Sequence, residues 1–218
     1  MNINKTAGKE ATGGIFSPAA VVLRGDGEPL NNTGYIEKLS SLSSRSPIAL
    51  DNYSLGGSVA ELEKSMARML GKESAVFMPT GTLANHIAVR NLCQKYPRVI
   101  VQEQGHLYRD SGDTVQQLSG INLVPLGVGN PCFTHEEVQL AIDDSLNGRV
   151  QTQIGAMVIE SPVRRCHGQV MPFEEMQQIT QLCRENSIGT HLDGARLFMM
   201  SAASGINPEV YSSLFDTV

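Results

Sequence analysis

From Ser58 onward, short apolar runs alternate with stretches of helical period, and this alternation restricts the chain to an α/β sheet more firmly than any other feature. Ser58 with Glu61 reads as a capping box ahead of Val59, Leu62, Met66 and Leu70, with Gly71 as the stop. Strands are expected at Ala75–Met78, Arg98–Gln102, Asn122–Leu126, Gly155–Glu160 and Gly189–Asp193. Helices are expected from Thr82 to about Gln94, after the Thr134/Glu137 capping box, and through Phe173, Met176, Ile179 and Leu182. The pattern predicts a three-layer α/β sandwich on a mixed but mainly parallel sheet, because strands separated by helices return in the same direction. Residues 1–57 show little periodicity and carry the serine-rich patch Ser40–Pro47, so they are expected to form loops and short helix apart from a domain at 58–218. Leu214–Val218 reads as the opening of a further strand, which makes that domain incomplete at its C-terminal side.

Charge and composition then narrow the partners. With 17 basic against 22 acidic residues the net charge is −5 and unclustered, which argues against a nucleic-acid groove or an anionic membrane surface. Apolar runs such as Ala19–Leu23 and Ala156–Ile159 are far shorter than the ~20 residues of a membrane span. Met1–Glu10 has no apolar stretch of signal-peptide type, so the cytoplasm is the expected compartment. Cys93, Cys132, Cys166 and Cys183 are irregularly spaced, contain no CxxC pair, and read as reduced thiols with no metal site.

In an open α/β sheet, ligands bind beyond the carboxyl ends of the strands. Three such places carry chemistry. Pro79-Thr80-Gly81-Thr82 opens a helix, where backbone N–H groups and the helix dipole suit a phosphate; the bland alternative is an N-cap and a turn. His106 follows the second strand, placed either to stack on a ring, bind a metal or shuttle a proton, or simply to sit at the surface. Asp193 ends the last strand, with Arg196 one short loop later. A phosphate cradle, an aromatic plate and a carboxylate are the parts required by pyridoxal 5′-phosphate, whose electron-sink chemistry needs a protonated ring nitrogen. Arg196 then offers a two-pronged partner for an amino acid's carboxylate.

At these residues the sequence resembles the threonine aldolase and β-eliminating lyase family of fold-type-I pyridoxal phosphate enzymes. The resemblance runs through most of 58–218 and is strongest in Ala60–Glu63, in Gly71–Thr82 and in His191-Leu192-Asp193-Gly194-Ala195-Arg196-Leu197. It implies a lyase acting on a small α-amino acid, by aldol cleavage of a β-hydroxy-α-amino acid or by β-elimination. It also implies a homodimer or homotetramer. By residue-wise match, Thr80, Gly81 and Thr82 bind the cofactor phosphate, His106 stacks on its ring, Asp193 pairs with the pyridinium and Arg196 holds the substrate carboxylate.

The departures from the family bear on chemistry. Where the family carries Asn-Thr-His after the glutamate of its central strand, this chain has Ser161-Pro162-Val163 after Glu160. A histidine associated with proton transfer at the substrate β-hydroxyl is thus Val163, and His167 reads as a solvated loop residue. Gly56-Gly57 replaces a more acidic stretch. The family's Schiff-base lysine is expected just beyond Val218, so the chain reads as the N-terminal part of a longer enzyme. The alternative is a truncated or degenerate member acting as a binding or structural subunit. Rival folds fare poorly: no GxGxxG or GxxxxGK[ST] follows a strand, and His191 with Asp193 gives only two potential metal ligands.

Overall fold

The computed structural model describes residues 30–46, 48–53, 55–93 and 95–218; the readings that fall on 1–29, including the Ala19–Leu23 run, and on Gln94 lie outside the described residues. The chain divides into two units, Met1–Ile48 and Ala49–Val218. In the first, α1 (Asn32–Arg45) begins at Asn31, whose side chain accepts from the Gly34 N–H at 2.9 Å. Ser40, Ser41, Ser43 and Ser44 of the serine-rich patch therefore lie in the helical part of this segment. The Ser44 hydroxyl turns back onto the Ser40 and Ser41 carbonyls at 3.0 Å each, so its competing hydrogen-bond capacity is used within the helix.

The second unit is built on four strands, β1 (Arg98–Gln102), β2 (Asn122–Leu126), β3 (Ala156–Glu160) and β4 (Gly189–Asp193), ordered β2-β1-β3-β4 and parallel throughout. Alternate residues of β1 and β3 point to opposite faces. Val99, Val101, Ala156 and Val158 pack with Val89 of α3 (Gly81–Leu92) and Val115 of α5 (Thr114–Ser119). Ile100, Met157 and Ile159 pack with Val138 and Ile142 of α6 (His135–Asn147) and with Met176 and Ile179 of α7 (Phe173–Glu185). Helices on both faces make the three-layer sandwich. Glu160, which shares its face with Ala156 and Val158, therefore points toward α3.

The start of the unit departs from the sequence reading. α2 (Gly57–Met69) has no side-chain cap: the Ser58 hydroxyl donates to the Ala49 carbonyl at 3.3 Å, and Glu61 pairs with Lys64. Ala75–Met78 has no regular secondary structure and joins no ladder among the described residues. Its Phe77 N–H is taken by the Glu63 carboxylate at 2.8 Å, and Val76 and Phe77 are exposed. The capping box at Thr134 and Glu137 forms as expected. Leu214–Val218 contributes a single parallel bridge, Thr217 to His191, with the Leu192 N–H donating to the Thr217 carbonyl.

Gly155 is dictated by proximity. A Cβ on Gly155 would lie 2.0 Å from the Tyr96 carbonyl oxygen, so no larger residue fits where the chain enters β3. The four cysteines are free thiols, and burial pushes Cys93 and Cys183 up to about 12, keeping them protonated. No helix among the described residues is long and apolar enough to cross a membrane.

Candidate active site

The carboxyl ends of β1, β3 and β4 face the N-terminal half of α3. Thr80 caps that helix, its hydroxyl accepting from the Leu83 N–H at 3.1 Å, while Gly81 and Thr82 form the first turn. A Cβ on Gly81 would meet nothing within 4 Å, so the space beside this glycine is open. One turn further, the buried Asn85 points inward.

His106 opens the short α4 (His106–Arg109) immediately after β1. Its Nε2 lies 3.2 Å from the Thr82 hydroxyl, which brings the histidine and the glycine turn together. Its backbone N–H donates to Glu160 Oε2 at 2.6 Å, and the other Glu160 oxygen accepts from the Arg164 N–H at 2.9 Å. Glu160 is thus a brace between two loops. Burial raises its pKa above the usual carboxylate range, two backbone donors oppose this, and the charge of Asp193 adds to it. At the rim, Asp110 accepts from Arg164 at 2.6 Å and Arg165 at 3.1 Å, and lies 3.8 Å from His106 Nδ1.

Asp193 ends β4 beside Glu160, its register partner on β3. It is buried at 7% exposure, and no cation lies within salt-bridge distance of it among the described residues. Its Oδ2 accepts from Asn85 Nδ2 at 2.6 Å, and its Oδ1 from the Ala195 N–H at 3.3 Å. Asn85 Oδ1 in turn lies 3.1 Å from His191 Nε2, and His191 Nδ1 lies 2.8 Å from the Thr217 hydroxyl. Arg196, half-buried, stands two residues beyond Gly194 at the start of α8 (Leu197–Ser204).

The structure therefore gathers Thr80, Gly81, Thr82, His106 and Asp193 around α3, with Arg196 on the loop after β4. In the sequence alone Glu160 reads only as a strand end and Asn85 as an ordinary helical residue. A signal for Asn85 existed, since it lies four residues after Gly81 and so on the same side of the helix. Val163 is fully buried and His167 is exposed with a left-handed backbone, as a solvated loop residue would be.

Burial pushes His191 down to about 4, against the pull of Asp193, so the ring is neutral at pH 7. Below the ordinary imidazole value of about 6.5, the unfolded chain takes up a proton that the folded protein refuses. The stability this group contributes is complete above pH 6.5 and is lost as the pH falls from there toward 4. Glu160 works in the opposite sense, its raised pKa making folding less favourable as the pH rises through and above the ordinary glutamate range. Comparison of urea midpoints at pH 7 and pH 5 should show a smaller acid loss for His191→Gln than for the wild type. Equal losses would place the acid sensitivity elsewhere.

The family model described as beta-eliminating lyase matches residues 44–218, and the chain belongs to that family, with the fold-type-I large-domain architecture. Its relatives narrow the comparison. It is 33% identical over 159 residues to the low-specificity L-threonine aldolase of Candida albicans, covering 72% of this chain and 42% of that protein. It is 32% identical over 162 residues to the corresponding enzyme of Saccharomyces cerevisiae, covering 72% and 40%. A solved structure of a putative L-allo-threonine aldolase from Listeria monocytogenes superposes with a TM-score of 0.75 at 29% identity, covering 87% of this chain and 50% of that one. The chain thus spans about two fifths of the length of these curated relatives.

Proposed function

We propose that the chain is the cofactor-binding part of a pyridoxal phosphate-dependent carbon–carbon lyase that cleaves a β-hydroxy-α-amino acid. The observation that carries this reading is Asp193, a buried carboxylate at the end of β4 with no cation within salt-bridge distance among the described residues. Burying a carboxylate without a positive partner is costly, and a protonated ring nitrogen removes that cost. The open space at Gly81 suits the phosphate at the other end of the same ligand. When bound, the cofactor supplies a protonated ring into which the electrons of a bond broken at the substrate Cα delocalise.

The chain's own residues then have distinct tasks. Thr80, Gly81 and Thr82 hold the phosphate with the N–H groups and hydroxyls of α3. His106, held by Glu160 through its backbone and by Thr82 through its ring, would lie against the cofactor ring. Asp193 keeps the proton on the ring nitrogen, and Arg196 grips the substrate carboxylate. In this reading residues 58–218 are the cofactor-binding domain, following an N-terminal segment 1–57. A homodimer or homotetramer in the cytoplasm completes the proposal, supported by family membership alone. The buried Val163 favours β-elimination as the second reading, because no imidazole stands at that position to act on a β-hydroxyl.

Equilibrium dialysis with pyridoxal 5′-phosphate tests the reading. Saturable uptake that inorganic phosphate competes away is expected, and absence of uptake would sink it. In the holoenzyme, Arg196→Lys should raise KM for the amino acid by about tenfold with little change in kcat, because a point charge replaces a bidentate fork. Unchanged KM in steady-state assays would remove Arg196 from the substrate site.

A further inference from the structure

The strongest unassigned feature is the hydrogen-bonded row Thr217–His191–Asn85–Asp193, which joins three separate parts of the chain in the sheet interior. We propose that Asn85 is a positioning residue: its side-chain amide aims the Asp193 carboxylate at the ring nitrogen and stands between that carboxylate and the His191 imidazole. The proposal rests on the cofactor reading above and adds to it a residue that touches neither cofactor nor substrate.

The direction of every bond in the row follows from the charge at one end. An ionised carboxylate only accepts, so Asn85 must present its NH₂ group to Asp193. Its carbonyl oxygen then faces His191 and only accepts, so His191 must carry its proton on Nε2. With a neutral ring, Nδ1 is left as an acceptor and the Thr217 hydroxyl donates to it. Turning the Asn85 amide over would set an oxygen against the carboxylate at 2.6 Å and require every other donor to reverse.

Two consequences follow for Asp193. The amide occupies Oδ2, and among the described residues the only other protein donor on the carboxylate is the Ala195 N–H, at a long 3.3 Å from Oδ1. Lone pairs therefore remain for a ring N–H, while the plane of the carboxylate is fixed. A carboxamide also carries no exchangeable charge, so His191 cannot hand a proton along the row to Asp193. Because Asn85 sits on the helix whose first turn faces the phosphate space, one rigid element sets both ends of the ligand site.

Binding of pyridoxal 5′-phosphate and of inorganic phosphate to the 218-residue chain tests this. Asn85→Leu should weaken pyridoxal phosphate by about tenfold, the scale of one hydrogen bond to a charged group, and leave phosphate within about twofold. In an Asp193→Asn background the same substitution should lose most of its effect, since Asn85 then has no charge to aim. A merely structural role for Asn85 predicts equal losses for both ligands in both backgrounds, which would overturn the proposal. Wild-type protein that takes up no cofactor overturns the cofactor reading itself; wild-type uptake that Asn85→Leu matches overturns only the assignment to Asn85. The His191 tautomer, read by ¹⁵N NMR in the unsubstituted protein, needs neither a variant nor a ligand. Nε2–H supports the row as drawn, and Nδ1–H contradicts it.

Discussion

Asp193→Asn should weaken pyridoxal 5′-phosphate binding by about 10- to 100-fold and lower turnover of the holoenzyme by a further ~10²–10³-fold. The first figure is the scale of one charge-assisted hydrogen bond. The second is the scale of removing one preorganised group from charge that develops during reaction. The two differ for a physical reason. On the proposed reading, cofactor affinity would be shared with the phosphate end at Gly81 and Thr82, which the substitution leaves alone. On the same reading, the electron-sink chemistry would depend on the ring-nitrogen proton, which the Asp193 carboxylate would hold. Asparagine keeps the shape and still accepts from Asn85, so the melting temperature should move little. Dialysis measures affinity, steady-state kinetics measures turnover, and calorimetry checks the fold. Turnover that falls no further than affinity would remove Asp193 from the chemistry and leave it a binding residue.

The second large effect concerns stability. Glu160→Ala should destabilise the fold by about 3–5 kcal/mol, because both carboxylate oxygens carry backbone donors, His106 at 2.6 Å and Arg164 at 2.9 Å. Alanine leaves those N–H groups without an acceptor and opens a gap where Glu160 is 4% exposed. Glu160→Gln should cost less. It keeps one acceptor, and it removes a charge that burial and Asp193 both disfavour. The two variants therefore separate hydrogen bonding from charge. Urea denaturation at pH 7 reads the difference, and a Glu160→Ala loss below about 1 kcal/mol would mean that the brace between the loops carries little weight. The same substitution should loosen His106 and with it the cofactor face.

Which of these features could be read from sequence depended on how local their causes are. β1, β2 and β4 have the bounds expected from their apolar runs, because burial of those runs decides the strand. The Thr134 box forms because all its partners lie within four residues. The Ser58 box has the same letters and does not form. The Ser58 hydroxyl finds the Ala49 carbonyl nine residues back, a competitor that no local pattern reveals. Ala75–Met78 has the composition of a strand, yet pairing is a property of two segments, and its Phe77 N–H goes to a glutamate on α2.

The site divides along the same line. Thr80 to Thr82, His106, Asp193 and Arg196 follow runs of recognisable type and stand in motifs that resemble a known family. Asn85 reaches Asp193 across 108 positions of sequence, and Glu160 reaches His106 across 54. Each looks ordinary in its own segment, as a helical amide or a strand-end acid. Only the packing of α3 against the ends of β3 and β4 gives them a role.

A crystal structure of the 218-residue chain with pyridoxal 5′-phosphate tests the central claim most directly. The account predicts the ring nitrogen within ~3 Å of an Asp193 carboxylate oxygen, the phosphate on the first N–H groups of α3, and the His106 ring against the cofactor face. A cofactor bound elsewhere, or bound here with its ring nitrogen turned away from Asp193, would contradict it.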